Sequence, residues 1–240
     1  MNKLFVLIFT FLILVITNAS SAVITKENAS VLIKKINEEM SLCKHYSADI
    51  EYLIFKSHTD SLALEKSNGY YKRSGTNEHS MLIGIETIQN ETERLVVDVN
   101  AQSMVLSKPS FKAQFLEQSM QGALALCKTL SLTKNEQSSV LEFILDRNSG
   151  IGFSKLYITY NNETHFIENI TMHYTATLIP GYEEVKSPKI SISYSNISTS
   201  RIGNSEFRID HYIQTKNNTY ILDTAFKDYN LFNQLSTGKN

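Results

Sequence analysis

The stretch Tyr46-Ser47-Ala48-Asp49-Ile50-Glu51-Tyr52-Leu53-Ile54 decides how this chain is read. Tyr46, Ala48, Ile50, Tyr52 and Ile54 fall on one face of an extended strand, and Ser47, Asp49 and Glu51 fall on the other. A period of two over that length is the pattern of a half-buried β-strand. Everything else in the sequence reads as further strands that extend this one, or as helices that cover them.

Upstream, Leu32, Ile36, Met40 and Cys43 recur at the helical period, with Lys34, Lys35, Glu38 and Glu39 off that face. The spacing predicts an amphipathic helix over about residues 28–43, capped by Asn28 or Ser30. Such a helix needs a sheet to lie on, because packing of the apolar stripe supplies most of its stability. Ahead of it stand a positive Lys3, an apolar run from Leu4 to Ile16, and the small residues Ala19, Ser20, Ser21 and Ala22. This is the layout of a secretory signal peptide over residues 1–22, cut after Ala19 or Ala22, leaving a single exported domain over 23–240. The apolar run is too short for a comfortable membrane span.

Downstream, a second strand runs through Leu62 and Leu64 to Lys72, and Ser74-Gly75-Thr76-Asn77 reads as a turn. Met81, Ile83 and Ile85 alternate as a third strand, and Leu95–Val99 and Met104–Leu106 form a hairpin about Asn100-Ala101. An apolar stripe through Phe111, Phe115, Met120, Leu124, Cys127 and Leu130 predicts a second helix from Ser110 to about Leu130. Strands are then expected at Val140–Leu145, Phe153–Tyr160, Phe166–Thr175, Ile190–Asn196 and Phe207–Ile213, with one more over Tyr220–Phe232. Ile179-Pro180-Gly181-Tyr182 is a loop by its turn chemistry. Sequential short strands of this kind build antiparallel sheets. The expected class is α+β: a curved antiparallel sheet forming a half-open β-barrel, covered by helices.

Composition narrows the function. A chain of 240 residues, 42% of them hydrophobic, hides a substantial core. A net charge of −1 and no Lys/Arg cluster argue against nucleic acid as a partner. Cys43 and Cys127 sit on apolar faces and read as buried thiols, although an exported protein is also free to join them. The six histidines have no metal-binding spacing, so no metal site is expected. Gly150 and Gly152 form a lone G-x-G without the third glycine of a nucleotide fingerprint, and no G-x-S-x-G elbow occurs. No catalytic residue and no cofactor are expected, and the chain is not read as an enzyme.

Several stretches resemble the LolA/LolB-like family of periplasmic lipoprotein carriers. They are Tyr46-Ser47-Ala48-Asp49-Ile50-Glu51-Tyr52 after an opening helix, Gly69-Tyr70-Tyr71-Lys72-Arg73, the Leu95–Asp98 and Met104–Leu106 hairpin, and the later hairpin Phe153–Thr175. The chain departs from the family pattern at Ser74, where a proline commonly follows the arginine, and at Asn100-Ala101, where Asp-Gly is usual. The resemblance implies a half-open barrel with a helical lid, a lid-holding role for Arg73, and lipid or acylated lipoprotein as the bound partner. Membrane-associated donor or acceptor proteins would then be further partners.

The residues expected to bind ligand are Ile50, Tyr52, Ile54, Arg73, Ile83, Ile85, Val97, Met172, Tyr174, Ile192 and Tyr194. Apart from Arg73 they are apolar or aromatic, and burial of apolar surface at about 25 cal/mol per Å² can hold an acyl chain without polar contacts. The first expectation is an exported carrier or chaperone for lipid or lipoprotein acyl chains. The second is a periplasmic or cell-surface interaction module with a filled barrel and no ligand. A hydrolase is the third.

Overall fold

Among the described residues, strand β2 (His45–Phe55), which carries the alternating stretch, stands in the middle of a thirteen-stranded sheet. The computed structural model describes residues 20–110, 115–146, 152–175, 185, 187–217 and 219–235. Before β2 come β1 (Ser20–Val23) and helix α1 (Lys26–Leu42). After it come β3 (Glu65–Ser74), β4 (Asn77–Leu82), β5 (Ile85–Gln89), β6 (Arg94–Asp98) and β7 (Ser103–Ser107). Helix α2 (Phe115–Ala125) leads to β8 (Cys127–Lys134), β9 (Ser138–Leu145), β10 (Phe153–Asn161), β11 (Ile167–Tyr174) and β12 (Lys189–Ser198). The chain ends through β13 (Ile213–Lys216), β14 (Thr219–Leu222) and β15 (Asn230–Asn233).

From the centre, β2 to β7 step outward to one edge, where β15 adds in parallel. The chain then returns to the other side, and β8 to β12 step back until β12 pairs with β2; β1 lies outside β8. The order therefore starts at β1 and stops at β15, leaving the sheet open. β13 and β14 form a separate two-stranded ribbon.

Residues opposite each other in a ladder point to the same side of the sheet. On β2, Ile50 faces Tyr194, Tyr52 faces Ile192 and Ile54 faces Ile190. Ile190 in turn faces Met172, which faces Leu156, which faces Phe143. This side, the inner face, takes the helices. Ile33 and Ile36 of α1 and Met120 and Leu124 of α2 pack with Leu130, Leu141, Phe143, Ile158 and Ile167 into the main core. The N-cap of α1, Thr25, accepts a hydrogen bond from the Asn28 amide at 3.2 Å and satisfies one of the free donors of its first turn.

The apolar side changes beyond β3. Following the ladder from Ala48 gives Tyr71, Ser80, Thr87, Val96 and Val105 on the inner face. Leu95, Val97, Met104, Leu106 and Ile88 therefore point outward, where the C-terminal segment covers them with Ile209, Ile213 and Tyr212. One sheet thus has two cores on opposite sides.

The sheet curls toward the inner face at Gly69. A Cβ on Gly69 would lie 2.0 Å from the Met81 carbonyl oxygen and 3.2 Å from Leu82 Cδ1, so β4 rises over that face as it leaves β3. Only glycine admits so close a backbone approach.

Several expectations need correction. The second helix does not continue to Leu130: it stops at Ala125, and Cys127 and Leu130 belong to β8. The three-residue spacing of Leu124, Cys127 and Leu130 imitates a helical stripe, while Leu130 and Leu132 share the inner face at a spacing of two. Met81, Ile83 and Ile85 do not share a strand, because Ile83 (φ 52) and Gly84 (φ 74) turn the chain between β4 and β5. Phe207 to Ile213 is not a strand; Asn204–Phe207 is a 3-10 turn, and Phe207, Ile209 and Ile213 are buried by coiling. Tyr220–Phe232 divides into β14, a short 3-10 turn and β15. β3 starts at Glu65, and Leu62 is 85% exposed. The cap expected at Asn28 or Ser30 is Thr25, with the helix starting at Lys26. The expected helix start after Ser110 falls on residues 111–114, which lie outside the described residues, as do the 179–182 loop and residues 1–19.

Candidate apolar ligand face

Around Ile33 and Ile36 of α1 the inner face is closely packed. Phe143, Leu141, Ile33 and Ile36 are wholly buried. Toward β12 and β2 the helical cover thins, and Met172, Tyr174, Ile192, Tyr194 and Tyr52 are only half-buried. With Ile50 and Ile54, these residues occupy adjacent rungs of β11, β12 and β2 and make one continuous apolar floor. Phe153 on β10 extends it, its ring 5.9 Å from that of Tyr174. The Tyr174 hydroxyl lies 3.7 Å from Met172 Sδ, so the floor presents sulfur and ring surface in place of a free hydroxyl.

The floor continues past the curl. Leu82, Val96 and Val105 are half-buried on the inner face, Ile85 is 39% exposed, and Phe232 on β15 is 56% exposed. Side chains on strands that bend toward each other line a trough, and apolar lining is what an acyl chain requires.

One end of the floor is built around Arg73. It stands opposite Tyr46 across β2 and β3 and donates through Nη2 to the carbonyls of Met40 and Cys43, the latter at 3.0 Å. Its Nε–H is buried without a hydrogen-bond acceptor among the described residues. Tyr46 packs edge-on against Phe166 and beside Tyr71. Burial pushes the Tyr46 hydroxyl up to about 12, with the nearby Tyr194 adding to the rise and Arg73 opposing it. Burial also raises Tyr71, whose hydroxyl donates to Glu78 at 3.0 Å. These phenols stay neutral and serve as polar ends of an otherwise oily surface.

The eleven residues expected from sequence divide three ways. Ile50, Tyr52, Ile54, Met172, Tyr174, Ile192 and Tyr194 come together on the inner face, with Arg73 at its end. Ile85 shares the face but sits at the far rim, and Ile83 lies on a turn. Val97 does not share the face at all; it is 1% exposed within the outer core, because the apolar side has already changed at β6. Sequence reading missed Leu82, Val105 and Phe232, whose partners across the sheet are needed to assign a side. It also missed the structural use of Gly69, although a lone glycine inside a strand pattern is itself a signal of close approach.

On the outer face a second group gathers. Glu86 accepts from the Tyr212 hydroxyl at 2.8 Å and from Tyr70 at 3.2 Å, and lies 2.7 Å from His79 Nε2. Burial works against the Glu86 charge, but hydrogen bonds from His79, Tyr212 and Tyr70 outweigh it and hold the carboxyl below its usual range. The arrangement fastens the C-terminal segment to β4 and β5. Among the described residues, no group of three or more His, Cys, Asp or Glu is placed to hold a metal ion. Cys43 and Cys127 are both free. No described helix is long and apolar enough to cross a membrane.

No family model matches the chain, and no curated protein matches it. Among solved structures it is similar to an uncharacterized conserved protein from Thermus thermophilus, at 10% identity and a TM-score of 0.49, covering 86% of this chain and 99% of that one. It is similar to a LolA superfamily protein from Nitrosomonas europaea, at 9% identity and a TM-score of 0.31, covering 74% and 98%. It is also similar to the lipoprotein LppX from Mycobacterium tuberculosis, at 8% identity and a TM-score of 0.33, covering 75% and 99%.

Proposed function

We propose that this chain is an exported carrier or chaperone that holds acyl chains of lipids or lipoproteins on the inner face of a half-open barrel. One observation carries the reading: a contiguous, half-buried apolar floor of Tyr52, Met172, Tyr174 and Ile192 lies on the side toward which the sheet curls. Contiguous apolar surface left partly open in a folded protein marks a binding surface. The floor binds without charge, so cargo recognition is by shape and oiliness, and membrane-associated donors or acceptors supply direction.

Native mass spectrometry of gently purified protein tests this. A co-purifying lipid, or uptake of fatty-acyl probes and lipopeptides that Ile192→Asp abolishes, supports the reading. Protein that is ligand-free and ignores both classes of probe removes it.

The solid packing of Leu141, Phe143 and Ile158 beneath the helices favours a second reading, an interaction module whose interior is filled. That reading predicts loss of function from substitutions on the edge strands and loops, with Ile192→Asp silent.

A further inference from the structure

A cavity apart from the central floor lies beneath the first half of α1. It measures about 570 Å³, within the size of ordinary small-molecule pockets. Its apolar part is Ile24, Leu32, Leu132 and Tyr160, drawn from the start of the chain, α1, β8 and β10. Its mouth carries Lys35 and Lys134, with His165 alongside. Among the described residues, no carboxylate lines it.

The two lysines are exposed, and neither is ion-paired among the described residues. Two unneutralised cations beside a low-dielectric wall raise the local concentration of anions. The wall itself is fixed in place. Ser139, 1% exposed, donates to Asn162 Oδ1 at 2.6 Å, and Asn162 Nδ2 donates to the Asn135 carbonyl at 2.7 Å. His165 is held at φ 58 by the turn that Asn161 braces, and its ring stacks 6.1 Å from that of Tyr160. A non-glycine residue in that region costs strain, which the surrounding bonds must sustain.

We propose that this cavity binds a single-tailed anionic amphiphile, with a carboxylate or phosphate head between Lys35 and Lys134 and an aliphatic tail against Leu32, Leu132 and Ile24. The site is independent of the central floor and stands whether or not that floor carries cargo.

The test uses the full mature chain carrying Ile192→Asp, which disables the central floor. Dodecanoate, dodecyl phosphate, dodecanol and inorganic phosphate are titrated by calorimetry at two salt concentrations. Both amphiphilic anions are expected to bind at least about tenfold more tightly than dodecanol or inorganic phosphate, and less tightly at higher salt. Adding Lys35→Glu with Lys134→Glu is expected to remove that advantage. Both positions are exposed, and unchanged thermal unfolding shows that the fold is kept. Leu132→Trp, which fills the cavity, is expected to weaken both anions as well. Equal binding of dodecanol and dodecanoate overturns the proposal, as does equal binding of inorganic and dodecyl phosphate. Indifference to the charge reversal also overturns it. Failure of the carrier reading shows separately, as absence of any acyl-probe binding that Ile192→Asp abolishes.

Discussion

Arg73 on β3 donates to the main-chain carbonyl of Cys43 at 3.0 Å, so a strand side chain closes the C-terminal end of α1. The last carbonyls of a helix have no intrahelical donor, and a guanidinium there also complements the helix dipole. Arg73→Met is expected to cost about 1–3 kcal/mol. Hydrogen exchange should show faster amide exchange confined to the last turn of α1 and to Lys44. Unchanged protection there would remove Arg73 from this role.

Gly69 sets the curl. Gly69→Ala places a methyl against the Met81 carbonyl, and backbone must move to admit it. The expected loss is about 1–3 kcal/mol by urea unfolding. At Gly75 the surroundings are open at φ 64, so Gly75→Asn is a control expected to stay within about 0.5 kcal/mol.

The two parts of the inner face should respond differently. Phe143→Ala, in the solid core, is expected to destabilise by about 3–5 kcal/mol. Ile192→Asp, on the half-open floor, is expected to cost about 1 kcal/mol while removing acyl-probe binding. Equal destabilisation by both would show that the floor is ordinary core.

His173 supplies a pH dependence. Its ring stacks 4.4 Å from His58, and burial, with His58, Lys155 and Lys189 nearby, pulls it down to about 4 from an ordinary 6.5. The unfolded chain then binds the extra proton first, so stability falls as pH drops from about 6.5 toward 4. Solvent screening keeps the effect modest. Thermal unfolding of His173→Gln should be flatter than wild type across that window. Glu86 acts at lower pH: its lowered carboxyl adds stability that is lost as it protonates below its ordinary 4.5.

Strand β1 bears on processing. Cleavage after Ala19 keeps Ser20–Val23 whole against β8, whereas cleavage after Ala22 removes three of its four residues. Under the proposed carrier reading, in which the chain is exported and cleaved, N-terminal sequencing is expected to begin at Ser20. A start at Val23 would leave Leu132, Thr133 and Lys134 without their β1 partners.

Legibility in the sequence followed the range of the interactions. The alternation of Tyr46 to Ile54 exposed β2 directly, because one buried face writes a period of two into a strand. Leu95 and Val97 alternate just as cleanly, but nothing local states which side of the sheet they occupy. That depends on a ladder running through β3, β4 and β5. Tyr52 and Ile192 therefore share the inner face, where their strands carry the pattern, whereas Val97 falls on the outer one. The cavity under α1 was hidden because the expected helix took Cys127 and Leu130, the first half of β8, and left Leu132 in no element.

The pairing of β12 with β2 has a consequence for how the protein is made. Asn196 and Asp49 meet although they are 147 positions apart, and Tyr194 seals Ile50. Until the ribosome has delivered residues near 198, the central strand keeps a raw hydrogen-bonding margin that invites association with other nascent copies. Closing the centre of the sheet is thus a late and slow step, and the unpaired strand is exposed to association until it is complete.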